Sequence, residues 1–434
     1  MNIKYNTSLP VKYNVDVFVA GGGPAGVAAA VAAARCGAKV FIAENGGAFG
    51  GAAVGSLVPA FMQFTDGVNF VADGIGREVR DYIKTHAYEE YKKFCPDSIP
   101  VELLKLCYDD MLSSSGVSFE FFTRVSDAIT ENGSVKYAVC SAKGNNFAVK
   151  AKIFIDCTGD GDLAALSGAG FEKGDENGDM MAATLCAIWN GIDWKNVVRP
   201  DSRRLDDAFS DGVFTNEDRH LPGIWPISTC TGGSNAGHVY DIDGTVSDSL
   251  TKGMVEGRKQ LLEYRKYYKE YLSGYENAEP VISASHLGIR ETRRITGDYI
   301  LNIEDFLNRA VFDDEIGRYA YPIDIHSGKN SKAGYDDYEK KFRELRYKPG
   351  ESYGIPYCSL TVKGINNLLT AGRCISADRS MQASVRVMPC CFITGQAAGV
   401  AAALSKDSAD VRKVDIKLLQ SELKRLGAYL PNAD

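Results

Sequence analysis

Glycines 21, 23 and 26 form G-x-G-x-x-G directly after an apolar run, VDVFVA at residues 15–20. The chemistry served by this spacing is the holding of a diphosphate. Gly21 makes the tight turn out of a strand, Gly23 admits the pyrophosphate close to backbone, and Gly26 lets the following helix pack closely on the sheet. That helix opens with Pro24 and Ala25. Its N-terminus presents free N–H donors and roughly half a positive charge, both suited to phosphate. Glu44 stands 21 positions after Gly23, the spacing of an acid that accepts ribose hydroxyls.

A second glycine-rich stretch comes at once: Asn45, Gly46, Gly47, Ala48, Phe49, Gly50, Gly51, Ala52. A plain nicotinamide domain needs no such loop. FAD is longer, and its flavin end runs past more backbone, so the pattern favours non-covalent FAD. Further along, Gly159 to Ala164 (GDGDLA) also fits a nucleotide turn, G-x-G-x-x-A. The residues after it, SGAGFEKGDENGD, offer no long helix and no strand ending in a lone acid, so no separate NAD(P)H domain is expected. Electrons then exchange with the substrate, a quinone, a carrier protein or oxygen.

Candidate substrate chemistry lies in the second half. His238, in NAGHVYD beside Tyr240, is a candidate proton-transfer group. Arg290, Arg293 and Arg294 come after His286 in SASHLGIRETRR and have the spacing of a bidentate carboxylate clamp, on one helical face if the segment is helical. The competing reading is an Arg–Glu or Arg–Asp network joining two domains. Tyr353, ahead of Gly354-Ile355-Pro356, is a further candidate.

These residues need a frame. Residues 15–20 read as a buried parallel strand, VAAAVAAARCG as an Ala-rich helix stopping at Gly37, and AKVFIAE as a second buried strand. Helices are expected near 72–85, 99–114 and 251–272, antiparallel strands from Val117 to about Val149, and another buried strand from Ala151. A strand at 364–371 and a helix at 389–404, with Pro389 near its first turn, return to the style of the first segment. The expected class is α/β: a three-layer Rossmann-like FAD/NAD(P)-binding fold, its parallel sheet joined to an antiparallel meander. The FAD-binding domain is expected to be discontinuous, 1–185 and 353–434, with an inserted α+β substrate domain at 186–352.

Composition narrows the class. The net charge is -7 and no long basic run occurs, which argues against a nucleic-acid partner. Eleven cysteines lack a repeating frame in a chain too long to need disulfide staples, so reduced thiols and a cytoplasmic setting are expected. The adjacent Cys390 and Cys391 fit free buried thiols better than a redox pair. The N-terminus is polar, without an apolar signal core. Apolar stretches read as broken well short of the ~18 residues of a membrane span. No His, Cys, Asp or Glu cluster has metal-ligand spacing, so no metal is expected.

Four segments carry a resemblance: residues 15–58 around GGGPAG, IDCTGDGDLAALSGAGFE, HLGIRETRRITGDYIL, and NNLLTAGRCISADRSMQASVRVMPCCFITGQAAGVAAAL. Together they resemble FAD-dependent oxidoreductases with the glutathione-reductase-type FAD fold, in particular a bacterial family distantly related to fumarate reductase flavoproteins. The resemblance implies that Thr158, Gly159 and Asp160 form a turn beside the adenosine and pyrophosphate, and that Val125 contacts adenine through its backbone. It places Gly372 and Asp378 near the diphosphate and ribityl chain, Arg386 near the flavin, and the helix after Pro389 with its N-terminus at the flavin N1–C2=O edge. Related flavoproteins carry an acid after the Ala-Gly at 371–372, where this chain has Arg373. The Cys pair of disulfide reductases is absent from AAVGSLVPAF at 52–61, which excludes that class. The expected function is redox chemistry on a small polar molecule, carboxylate or sugar-like, by hydride transfer to or from the flavin. A non-catalytic nucleotide-binding protein and an NAD-using biosynthetic enzyme on the same fold stay open, as does a homo-oligomer.

Overall fold

A computed structural model describes residue 3 and residues 7–87, 97–330, 342 and 345–433. Its principal sheet has seven strands. Six are β1 Val11–Ala20, β2 Val40–Ala43, β3 Ser118–Glu120, β4 Thr123–Glu131, β5 Ser134–Ala142 and β6 Asn146–Asp156. They run in the order β3-β2-β1-β6-β5-β4, and the strand Leu368–Thr370 pairs with β6. The β1, β2, β3, β6 and Leu368–Thr370 pairings are parallel, whereas β4, β5 and the first half of β6 form an antiparallel meander.

The central strands are apolar on both faces because both are covered. Side chains alternate across a strand. Val17, Val19, Val40, Ile42, Ile153 and Ile155 therefore enter one core, while Phe18, Phe41, Ala43 and Phe154 enter another on the opposite face. The first core is covered by the helices Pro24–Arg35 and Met388–Ser405. These two helices touch almost backbone to backbone. A Cβ on Gly395 would stand 2.2 Å from the carbonyl oxygen of Ala25, and one on Gly399 2.2 Å from that of Ala29. The Ala-rich sequence of the first helix is thus a packing requirement, not only a propensity.

The expected helices appear as Ile75–His86, Val101–Ser114 and Ser247–Tyr271. The turn at GDGDLA leads only into a short helix, Asp162–Leu166, which cannot build a second nucleotide fold. The membrane reading needs a correction. Met388–Ser405 is one apolar helix of 18 residues, because its glycines pack rather than break it. By length and composition it could cross a bilayer, but 94% of it is buried inside the protein.

A second core lies apart from the sheet. It collects Ala183, Leu185, Trp189, Tyr264, Tyr267, Tyr268 and Leu287, around a four-stranded antiparallel sheet of Ala187–Asn190, Ile224–Pro226, Thr231–Ser234 and Glu279–Ser283. Part of the segment expected as an insert, 186–352, packs with the first core. Leu301, Phe306, Ile316, Tyr319 and Ile323 join the first core, because Glu315–Tyr319 pairs with Tyr353–Pro356.

Candidate functional site

Register brings the separated motifs to one level. Ala20 is opposite both Ala43 and Asp156, Asp156 is opposite Thr370, and Ala43 is opposite Glu120. The carboxyl ends of five parallel strands therefore open on the same edge, where open α/β sheets bind ligands. A cavity of about 1470 Å³ lies there. That exceeds the roughly 300–1,000 Å³ of an ordinary small-molecule pocket and suits a long dinucleotide with a substrate beside it.

Among the expected cradle residues, the cavity wall holds Gly21, Gly23, Pro24, Ala25, Glu44, Asn45, Gly51, Ala52, Val125, Thr158, Gly159, Asp160, Gly372 and Arg373. The glycine geometry fits a diphosphate. Gly21 has φ +93, and a Cβ there would meet the Cys157 carbonyl oxygen at 2.6 Å. A Cβ on Gly26 would lie 1.9 Å from the Gly21 carbonyl oxygen, so Gly26 serves helix-to-turn contact and not the wall. A Cβ on Gly23 would meet nothing nearer than 3.8 Å, at Gly51 Cα, which leaves open the approach a phosphate would use. No side chain caps the helix that starts at Pro24, so its N–H groups remain for a ligand.

Charged groups at the cradle are held in advance. Glu44 accepts from the backbone N–H of Gly22 at 2.7 Å and of Gly46 at 2.6 Å. Burial raises its carboxyl above the ordinary value, against these two donors. Arg373 pairs with Asp160 at 2.7 Å and keeps its buried Nη1 without a hydrogen-bond partner among the described residues. Asp160 also accepts from Thr292 Oγ1 at 2.8 Å. Asp156, wholly buried beneath the turn, accepts from Thr158 N–H, Thr158 Oγ1 and Ala164 N–H and so fixes the turn's shape.

Several expected positions lie elsewhere. Asp378 does not line the cavity; it caps Arg379–Val385 by accepting from Met381 N–H and takes the Ile303 N–H on its other oxygen. Both oxygens are thus committed to backbone. Gly50, at φ +125, donates its N–H to the Gly22 carbonyl and supports the wall from behind. Pro389 is buried in the first turn of its helix, while Val387, Met388 and Cys391 line the cavity. Cys390 and Cys391 are free, and burial pushes the Cys391 thiol up to about 12. Tyr353 is fully buried and bonds Ser384 away from the cavity.

The arginine trio dissolves because its segment is extended. Arg293–Ile295 is a strand paired with Phe171–Lys173. Arg293 binds Asp162 at 2.7 Å, and Arg294 binds Glu291 at 2.5 Å, so both serve ion-pair networks. Arg290 alone reaches the cavity. Arg290 is 8% exposed as a residue, and its guanidinium donates to the Ala182 carbonyl, Thr184 Oγ1 and Asn235 Oδ1, three neutral acceptors. Burial, then the charge of Arg386, lowers it to about 10. Arg386 also lines the cavity and pairs with Asp324 at 2.8 Å.

His238 does not reach the large cavity. It stands one ring behind His326, which lines it. His238 Nε2 lies 2.9 Å from His326 Nδ1, and His238 Nδ1 lies 3.0 Å from Asp218. Behind His326, Asp324 lies 3.4 Å from Nε2. His220 completes the group, its ring 4.7 Å from that of His326. Burial pushes His220 down to about 4 and, with the charge of Arg290, holds His326 well below the usual range. Burial raises the Asp324 carboxyl, but His326, Arg386 and Arg290 outweigh it and hold it far down. Spacing along the chain carries no sign of this cluster. His238 and His326 are 88 positions apart, and only the fold brings them together.

A sequence search of the curated proteins finds no match. Structural likenesses cover nearly the whole chain at low identity. A flavin-dependent brominase is 13% identical, with TM-score 0.48, 95% of this chain and 83% of that one covered. A geranylgeranyl bacteriochlorophyll reductase-like protein of Thermoplasma acidophilum is 11% identical, at 0.46, with coverage of 95% and 83%. A p-nitrophenol 4-monooxygenase of Pseudomonas putida is 10% identical, at 0.45, with coverage of 94% and 84%. The model of one family, FAD dependent oxidoreductase, matches residues 16–423. With that match over nearly the whole length, the chain belongs to the FAD-dependent oxidoreductases and takes FAD as its cofactor.

Proposed function

We propose that this enzyme oxidises or reduces a small organic anion whose carboxylate sits between Arg290 and Arg386. One observation carries the reading. Arg290 is a buried cation on the cavity wall with, among the described residues, no carboxylate in an ion pair with it. Burying such a charge is costly unless an anion completes it. The neutral acceptors behind the guanidinium fix its fork, and the Asp324 carboxylate acts on its charge only from beyond ion-pair distance.

FAD, when bound, supplies the hydride chemistry. The chain's own residues do the placing. Gly21, Gly23 and the Pro24 helix would hold the diphosphate, Glu44 the ribose, and Thr158 to Asp160 the turn beside it. The N-terminus of the Met388 helix would face the flavin, where it favours negative charge. Arg290 and Arg386 would orient the substrate, and Leu57, Ile188, Ile227 and Leu287 on the cavity wall would exclude water.

The test is Arg290→Gln in the holoenzyme. Losing a charged hydrogen-bonding partner in a buried site costs about 2–5 kcal/mol, so KM for an acid substrate should rise at least ~30-fold with FAD content unchanged. An unchanged KM would overturn the reading.

A further inference from the structure

We propose that His220, His238 and His326 form a binding site for a divalent transition-metal ion, with zinc the best fit, at the junction of the insert and the flavin cavity. The candidate ligand nitrogens of the three rings all lie within 4.8 Å of one another. The three ring centroids form a nearly equilateral triangle, at 5.0, 5.0 and 4.7 Å.

The hydrogen-bond pattern points to a cation. Asp218 accepts the backbone N–H of His220 on Oδ1 and that of His238 on Oδ2, so it stands as a carboxylate acceptor. His238 Nδ1 at 3.0 Å must therefore carry the proton given to Asp218. Asp324 accepts from Arg386 and lies 3.4 Å from His326 Nε2. His238 then turns an unprotonated Nε2 towards His326 Nδ1, at 2.9 Å, a lone pair open to a proton on His326 or to a metal ion. Carboxylate behind imidazole, with the other nitrogen free, is the arrangement that orients metal-bound histidines.

A shared proton would satisfy those two rings, but it would not call for a third imidazole at the same range. A metal ion uses all three. Zinc takes imidazole nitrogen at about 2.0–2.1 Å, which sets ligand nitrogens about 3.3 Å apart in a tetrahedral site. The spacing here brackets that value. Three neutral imidazoles suit zinc and its borderline neighbours, and leave a fourth position open. Beside the cluster lies a small cavity of about 30 Å³, bordered by all three histidines and Tyr240, of the size that one water or small ligand would fill. The ion would tie the insert to the segment carrying Asp324, and through Asp324 would steady Arg386. It goes beyond the substrate reading and does not depend on it.

The experiment is elemental analysis of FAD-loaded enzyme, before and after chelation, followed by titration of the chelated protein with cobalt(II). We expect one metal per chain and the visible absorption of a tetrahedral cobalt site. Asp218→Asn should keep the fold and weaken zinc about 10–100-fold through loss of the orienting carboxylate. His220→Asn should abolish the cobalt spectrum while FAD content and circular dichroism stay as in the parent. Should either variant fail to fold, the parent titration alone decides. Holoenzyme that carries no metal as isolated and gives no cobalt spectrum on titration overturns the proposal, and so does a His220→Asn variant that binds cobalt as the parent does.

Discussion

The two walls of the cavity are built in different ways. The cofactor wall is made of backbone: glycines and helix ends drawn from short, contiguous segments, levelled by strand register. The wall proposed for the substrate is made of side chains drawn from far apart: Arg290, Asp324, His326 and Arg386. Backbone cradles recognise what every member of a fold class binds. Side chains on the opposite wall are where specificity is set.

The sharpest way to separate the walls is to substitute the cradle glycines. Gly23→Leu puts a side chain into the open approach at a backbone position with φ -69, where any residue fits. FAD affinity should fall by at least ~100-fold, close to 3 kcal/mol, with little change in apoprotein Tm. Gly26→Val, by contrast, forces the helix off the Gly21 carbonyl and should lower Tm and FAD binding together. Calorimetry of both apoproteins with flavin titration checks the pair. If both variants lose Tm equally, Gly23 is a packing residue and the cradle has been misassigned.

On the other wall, Arg290→Gln should leave the flavin in place and raise KM alone. Of intermediate size is Gly399→Ala, whose new methyl meets the Ala29 carbonyl oxygen. Overpacking at such a contact costs roughly 1–3 kcal/mol, measured by denaturant unfolding. The smallest effect is expected from Asp378→Ala. A lost helix cap costs about 0.5–2 kcal/mol, and FAD affinity should hold. A large loss of FAD there would return Asp378 to the cofactor wall.

The same division explains what could be read from sequence. Gly21, Gly23, Gly26 and Glu44 announce themselves because each duty demands one residue type at a fixed local spacing, whereas Thr158 is implied only by the family resemblance. The strands and the long helices are legible from their apolar runs and flanking glycines. Asp378, placed near the cofactor only by the resemblance, spends both carboxylate oxygens on backbone N–H groups, a duty that the sequence does not display. At Arg293 and Arg294 the structure matches the ion-pair network rather than the clamp, because pairing with Phe171–Lys173 makes this segment a strand and not a helix. His220 and His326 carried no signal, since long-range packing alone sets their distance.

The central claim is that the buried cation on the substrate wall selects an anion. The most direct measurement mixes FAD-loaded enzyme anaerobically with hydroxy acids and, in parallel, with the amide of each acid, and tracks the flavin absorbance. Chemically reduced enzyme is treated in the same way with keto and unsaturated acids and their amides. The account predicts that an acid changes the flavin's redox state while its amide does so at least ~30-fold more slowly at equal subsaturating concentration. Equal rates for acid and amide, or rapid reaction with neutral sugars and none with any acid, would contradict it.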